Sequence, residues 1–338
     1  MGNSNLIITD GLSRDQWLAK RRGYITGTRV PAILEVNPFQ TPLQLQSEVL
    51  EGTTIKETGP MRAGTFMEPA LLAMAQEYAT GAIVKSDFME RRDRPLQGGQ
   101  ADGIEDKGGL GGDSRVCWEF KNVGLHRASD WGPHRPDEFS DDGDVPLHYL
   151  LQTRWYADLC EASEIAFGVL IGGQDFRVIR LEIDASKRAE MDEIYLECCS
   201  WWQKYIVEKQ ELPVDGSAFA GRMLQTRHPR EKDDIVPVEA LDGDSAALAE
   251  KLFALRKKRR ALADEIDLLE NRIKEKIGDR AGWAGDKWKI TWKFREGRRV
   301  VDWDAIIHEA KVPSKLIDKH TRQSEGRRYF LPAARKGA

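Results

Sequence analysis

No apolar run in this chain approaches the roughly 18 residues that a membrane-spanning helix needs. The opening stretch, MGNSNLIITDGLSRDQW, has neither the basic segment nor the apolar core of a secretory signal. Leu6 stands where N-myristoylation asks for Ser or Thr. Cysteine is scarce. Cys117, Cys160, Cys198 and Cys199 form no CxxC pair, which speaks against a zinc or iron–sulfur site and against a disulfide scaffold. The six histidines make no HExxH, so a zinc hydrolase is not expected, and the lack of GxxxxGK[ST] argues against P-loop ATP hydrolysis. There is no long repeat and no low-complexity block. These absences predict a reduced, cytoplasmic protein with no membrane contact.

What is present is charge, unevenly placed. The net charge is −4. Residues 243–338 hold 24 Lys and Arg against 15 Asp and Glu, a balance of +9, while the rest of the chain holds 27 against 40, or −13. An acidic body that gathers carboxylates around cations, with a basic tail that meets a polyanion, would look like this. At 338 residues, 41% of them hydrophobic, the chain is long for one compact unit.

The periodicity predicts a helix over 14–36, with Trp17 and Leu18 leading into Arg21-Arg22-Gly23 and Thr26 or Thr28 as a cap, ended by Val36-Asn37-Pro38-Phe39. A second helix is expected at about 62–79, with Phe66, Ala70, Met74 and Tyr78 on one face. Alternation then predicts strands over Ile83–Phe88 and Val116–Lys121, with the glycine-rich Lys107–Asp113 as a turn. A helix over about 145–160 leads to Ile165–Ile171 and Phe176–Ile183, joined at Gly172-Gly173 as a hairpin. A helix over about 186–209 carries Trp201-Trp202, read as core, and Leu212-Pro213-Val214-Asp215-Gly216 reads as a domain boundary. The fold class is therefore α/β, a mixed sheet flanked by helices over 1–216. A linker over 217–242 precedes a basic extension over 243–338. That extension opens with a long amphipathic helix of coiled-coil spacing, Leu248 to Ile273. A small hairpin of Trp288–Phe294 with Arg298–Trp303 and a basic end at Arg327-Arg328-Tyr329-Phe330 follow. Trp288 and Trp292 could stack on bases, and packing is the favoured reading.

The chemistry lies in Asp102, Glu119 and Lys121. On a strand, Glu119 and Lys121 project together while Trp118 and Phe120 face the other way. A hairpin brings Asp102 beside them. Two converging carboxylates repel each other unless a cation lies between them, and Mg²⁺ suits oxygen ligands. A lysine beside them can stabilise phosphoryl charge or orient a water. The parts fit metal-assisted phosphodiester hydrolysis.

The order of elements is more specific than the triad. A helix with Gly64-Thr65-Phe66-Met67-Glu68 comes first, then Asp102-Gly103, Glu119-Phe120-Lys121, and a helix with Gln152-Thr153-Arg154-Trp155-Tyr156. This order resembles the PD-(D/E)xK nuclease superfamily, whose restriction-endonuclease-like core is a mixed sheet flanked by helices. The run Trp17 to Thr28, with Arg21 and Gly23-Tyr24-Ile25-Thr26-Gly27-Thr28, is similar to the opening of the YqaJ-type viral recombinases, the lambda exonuclease family. Asn37-Pro38-Phe39 and Leu212–Gly216 look like further landmarks, and the likeness spans about residues 12–216.

The resemblance implies roles, position by position. Asp102 and Glu119 would hold Mg²⁺ (or Mn²⁺), with the Phe120 backbone carbonyl as a further ligand and Glu68 completing the site. Lys121 would act on the nucleophilic water, and Gln152 would support the site. Arg21, Thr26 and Thr28 would hold a DNA 5′-phosphate, with Arg127 as another basic contact. Ala101 replaces the usual Pro before the aspartate, and Thr28 replaces a serine. The implied activity is 5′-to-3′ digestion of double-stranded DNA ends in a phage or prophage recombination system inside a bacterial host. The 3′ strand would pass to a single-strand annealing protein. The resemblance also implies a homo-oligomer, a trimer around DNA. The alternatives are a RecB-like or Cas4-like endonuclease, the latter opposed by adjacent Cys198 and Cys199, and a catalytically silent DNA-end-binding protein.

Overall fold

The computed structural model describes residues 6–52, 58–108, 114–231, 235–237, 243–286, 289–298, 300–324 and 326. The chain divides into two units, Met1–Leu224 and Gln225–Ala338. In the first, β1 (Leu6–Thr9) leads to α1 (Arg14–Arg22), where Ser13 and Gln16 form a reciprocal capping box. α1 ends at Gly23, and α2 (Val30–Ile33) is a separate buried turn, so the helix expected over 14–36 is two helices. The cause is local. The buried guanidinium of Arg29 donates to the carbonyls of Arg21 (2.9 Å) and Tyr24 (2.7 Å). Ile25 gives its N–H to the Leu96 carbonyl (2.8 Å) instead of continuing the helix.

α3 (Pro42–Glu51) is capped by Thr41, and α4 (Gly59–Gln76) by Thr58. α4 buries Leu71 and Ala75, one residue on from the expected stripe, and Phe66 is 71% exposed. Two neighbouring stripes of α4 are apolar. The sheet takes the one with Met67 and Leu71, while the Arg62 guanidinium lies 5.6 Å over the Phe66 ring. The strand expected over Ile83–Phe88 is also divided, into β2 (Ile83–Val84) and β3 (Phe88–Arg91) in different sheets. Between them Ser86 donates its hydroxyl to the Ala101 carbonyl (2.8 Å) and turns the chain.

β4 (Gly98–Gly99) joins β1 and β3 in a three-stranded antiparallel sheet. The main sheet contains β5 (Gly103–Asp106), β6 (Arg115–Val123) and β7 (Arg135–Phe139), then β8 (Glu164–Ile171) and β9 (Asp175–Glu182) after α5 (Leu147–Leu159). Its order is β2-β5-β6-β8-β9-β7. β6 and β8 run parallel, as do β7 and β9, and the other pairs are antiparallel. The sheet is buried on both faces, and every residue of β8 is buried, as strands covered from two sides require. On one face Cys117, Phe167 and Val169 pack with Val30, Leu150, Trp155 and, from α6 (Ala185–Trp202), Met191 and Trp202. On the other, Trp118, Phe120 and Leu170 pack with Leu71 and Ala75 of α4. This is the mixed sheet between helices that the PD-(D/E)xK resemblance implies. α6 continues as one π turn, Gln203–Val207, and α7 (Ala218–Arg227) occupies the start of the segment read as a linker.

The second unit holds α8 (Ser245–Ile277), β10 (Gly282–Ala284), β11 (Lys289–Thr291), α9 (Trp303–Glu309) and α10 (Ser314–His320). The hairpin is not the expected one. β11 pairs upstream with β10, because Asp302 caps α9 through the Ala305 N–H (2.9 Å) and draws Trp303 into a helix. Trp292, favoured as packed, is 51% exposed. Trp288, Arg299, residues 109–113 of the turn and the basic end Arg327-Arg328-Tyr329-Phe330 lie outside the described residues. No described helix is long and apolar enough to cross a membrane.

Candidate active site

β6 carries the centre of the site, and its alternation divides the labour. Trp118 and Phe120 fill the α4 face, while Glu119 and Lys121 turn to the α5 face. Gly103 opposes Trp118 across β5 and β6, so Asp102, one residue earlier, arrives beside Glu119. The Phe120 backbone N–H donates to Asp102 Oδ2 at 2.9 Å, which fixes that carboxylate against the strand.

Glu119 is 1% exposed. Its Oε1 accepts from the Lys121 ammonium and from Gln152 Nε2 of α5 (2.6 Å). Its Oε2 is buried without a hydrogen-bond partner. Burial first, and then the Asp102 charge, push the Glu119 carboxyl up to about 8, with Lys121 opposing. Burial raises Asp102 as well, against the pull of Lys121 and of the Phe120 N–H. For Lys121 burial acts downward, but the charges of Glu119 and Asp102 prevail and hold it above its ordinary value. Its ammonium also sits 4.8 Å from the centre of the Tyr149 ring, a cation–π contact. An unsatisfied buried carboxylate oxygen next to a second carboxylate is costly for a protein on its own. It is the oxygen-rich environment that a hard divalent cation favours.

Glu68 of α4 stands further off. It is ion-paired with Lys85 and reaches Asp102 only through its charge, which adds to the upward shift. Among the described residues no group of three or more His, Cys, Asp or Glu side chains is gathered around one point. The site therefore brings two carboxylates together, Asp102 and Glu119, with Phe120 contributing backbone.

Beside it lies a second cluster. Arg21, in the last turn of α1, donates from Nη2 to Thr28 Oγ1 at 2.6 Å, and Thr26 Oγ1 lies 3.1 Å from the same hydroxyl. The Arg21 guanidinium stacks over Trp17 at 5.4 Å. Tyr156 of α5 lies within the field of both clusters. Burial pushes its phenol up to about 12, while the Arg21 charge and the Thr28 backbone oppose and Glu119 and Asp102 add. Gly27 allows this approach. A Cβ there would meet the Gln152 carbonyl oxygen at 2.5 Å and the Tyr156 ring at 2.7 Å. Arg127 lies in a short 3-10 turn, Leu125–Asp130, ion-paired with Asp130.

Three residues without an expected role also stand at the clusters. Arg29 pins the carbonyls around Arg21, and Tyr149 forms the floor beneath Lys121. His148 packs on Phe39 and Tyr149, and burial, then the charges of Arg127 and Lys121, push it down to about 4. A signal for Tyr149 existed, since it lies one turn before Gln152 on α5. None marked Arg29.

Residues 16–163 match the model of the YqaJ-like viral recombinase domain. This stretch contains Arg21, Thr28, Asp102, Glu119, Lys121 and Gln152. Over this stretch the chain is similar to that family. Among curated proteins it is similar to the uncharacterized protein YqaJ of Bacillus subtilis (strain 168), 24% identical over 307 residues that cover 86% of each chain. Among solved structures it is similar to an alkaline exonuclease from Laribacter hongkongensis, at 15% identity and a TM-score of 0.43, over 63% of this chain and 100% of that one. A putative exonuclease from Eubacterium rectale matches at 9% identity and a TM-score of 0.42, over 70% of this chain and 100% of that one. The matched stretch includes both clusters of the site and ends just after α5.

Proposed function

We propose that the YqaJ-like domain is a Mg²⁺-dependent deoxyribonuclease that digests the 5′ strand of double-stranded DNA ends. The observation that carries this reading is the orphaned Oε2 of Glu119 beside Asp102, with Lys121 held at the same carboxylate. Asp102, Glu119 and the Phe120 backbone carbonyl would hold the cation, which when bound supplies Lewis-acid chemistry at the scissile phosphate. The protein's own groups do the rest. Lys121 presents positive charge where the phosphoryl oxygens gain negative charge and orients the attacking water. Gln152 holds Glu119 so that its other oxygen stays turned to the site. Arg21 and Thr28 supply a guanidinium and a hydroxyl for a 5′-phosphate, which would set the chain end in register. By resemblance, the exposed 3′ strand then goes to an annealing protein, and the enzyme works as a homo-oligomer.

The test is digestion of linear duplex DNA carrying 5′-phosphate or 5′-hydroxyl ends, with Mg²⁺ and in EDTA. The expected result is loss of the phosphorylated 5′ strand with Mg²⁺ alone. Lys121→Ala is expected to reduce the rate by about 10²–10³. Cutting of closed circles would replace this reading with an endonuclease. Binding of ends without cleavage, equal in EDTA, would replace it with an end-binding protein.

A further inference from the structure

α8 is 33 residues long, and among the described residues much of its apolar stripe is exposed, with Leu252 and Ile273 half-buried. Leu248, Leu255, Leu262, Ile266 and Leu269 are each 50–59% exposed. With Leu252 and Ile273 they alternate at spacings of four and three, and Arg259 fills the one remaining seam position, so the seam is a strict heptad. A heptad seam is narrower than the stripe a helix uses to pack on a globular core, and its knobs fit another helix with the same repeat.

The charges say which helix. Residues 251–260 hold six basic side chains, Lys251, Arg256, Lys257, Lys258, Arg259 and Arg260, and no acidic one. Residues 261–270 hold four acidic side chains, Asp264, Glu265, Asp267 and Glu270, and no basic one. Such blocks place like charges three and four residues apart, as with Arg256 and Arg260, which disfavours the helix by itself. Among the described residues, none of the six basic side chains has an ion-pair partner in the chain. The only block member so paired is Glu270, which accepts from Lys274 at 3.2 Å.

From this we infer that α8 pairs antiparallel with the α8 of a second copy of the chain, about a two-fold axis between Arg260 and Ala261. That axis lays residues 251–260 of one chain along residues 261–270 of the other, so each basic block meets an acidic one. The same axis aligns the seam with no further adjustment. Leu248 meets Ile273, Leu252 meets Leu269, Leu255 meets Ile266 and Arg259 meets Leu262, so every pair joins the two kinds of seam position. One register satisfies both patterns. A parallel pair would set basic block on basic block. Arg259 at the seam then acts as a register pin, since a lone charged residue there is tolerated where it can reach opposite charge. A polyanion is the weaker occupant, because the acidic block directly follows the basic one on the same helix.

The experiment uses the full chain with Cys199→Ser, which removes the half-buried thiol and leaves three buried ones. Nitroxide labels are placed at exposed Ala247→Cys or Ala261→Cys, and dipolar distances between copies are measured. An antiparallel pair puts the 261 labels about two helix diameters apart, ~20–25 Å, and the 247 labels ~40 Å or more apart along the axis. Leu255→Asp with Ile266→Asp, both at exposed positions, should abolish both distances while the helical circular dichroism of the chain is retained. Equal short distances at both sites would overturn the antiparallel register. Distances that survive the double substitution, or none at all, would overturn the pairing. If none are seen and changing the six basic residues to Gln weakens binding of a DNA duplex and its salt slope, the block serves a polyanion instead.

Discussion

Glu119 shows how costly a single buried side chain can be for folding. Its carboxyl is buried, one oxygen is unpartnered, and its pKa rises to about 8 from an ordinary value near 4.5. A carboxyl raised in the folded state holds its proton more tightly there than in the unfolded chain. Its contribution is therefore fully present below about pH 4.5 and is lost as pH rises through about 8. In EDTA, the melting temperature of the wild type should fall between pH 6 and pH 9, and Glu119→Gln should flatten that fall. A wild type and variant with parallel profiles would show that the carboxyl is not held this way. At the Arg21 cluster, Thr28→Val removes the hydroxyl that Arg21 grips at 2.6 Å. Loss of a hydrogen bond to a charged group costs about 1.5–3 kcal/mol, so preference for 5′-phosphorylated over 5′-hydroxyl ends should drop by roughly 10- to 100-fold.

Among the elements, the turn from Gly23 to Arg29 and helix α5 matter most, since together they set the distance between the two clusters. Gly27→Ala would push a Cβ to within 2.5 Å of the Gln152 carbonyl oxygen. Overpacking of this kind costs about 1–3 kcal/mol, and here it displaces the helix that carries Gln152. The expected outcome is a modest loss of stability in urea with a larger loss of cleavage rate, although no reacting group has been touched. Elements with strong periodicity were legible beforehand: β6, α5, the β8–β9 hairpin and α8 lie where alternation and heptads predicted them. The misread elements share a physical cause. The 14–36 helix broke because a buried side chain, Arg29, competes for backbone carbonyls. Ile83–Phe88 broke at a serine that bonds Ala101, fifteen residues further along the chain. α4 rotated because two stripes were apolar and only the sheet could choose between them. Such contests are decided by tertiary contacts, which local pattern does not contain. The meeting of Asp102, Glu119 and Lys121 was legible because it needs only strand alternation and one hairpin.

For the whole molecule, the described parts of the candidate site all lie between Trp17 and Tyr156, inside the first unit. On the proposed reading, a chain ended after Arg227 is therefore expected to unfold cooperatively on heating and to cleave phosphorylated ends at the full-length rate, measured at saturating DNA. Loss of cleavage in a folded, shortened chain would move part of the site into the second unit. Within the first unit, Tyr156 feels both clusters, Arg21 and the Thr28 backbone as well as Glu119 and Asp102. Two sites sharing one wall obey thermodynamic linkage, and linkage is reciprocal. If Mg²⁺ tightens binding of a phosphorylated end by some factor, that end must tighten Mg²⁺ by the same factor, so on the proposed reading the protein would sense whether a terminus is ready before the cation is firmly held.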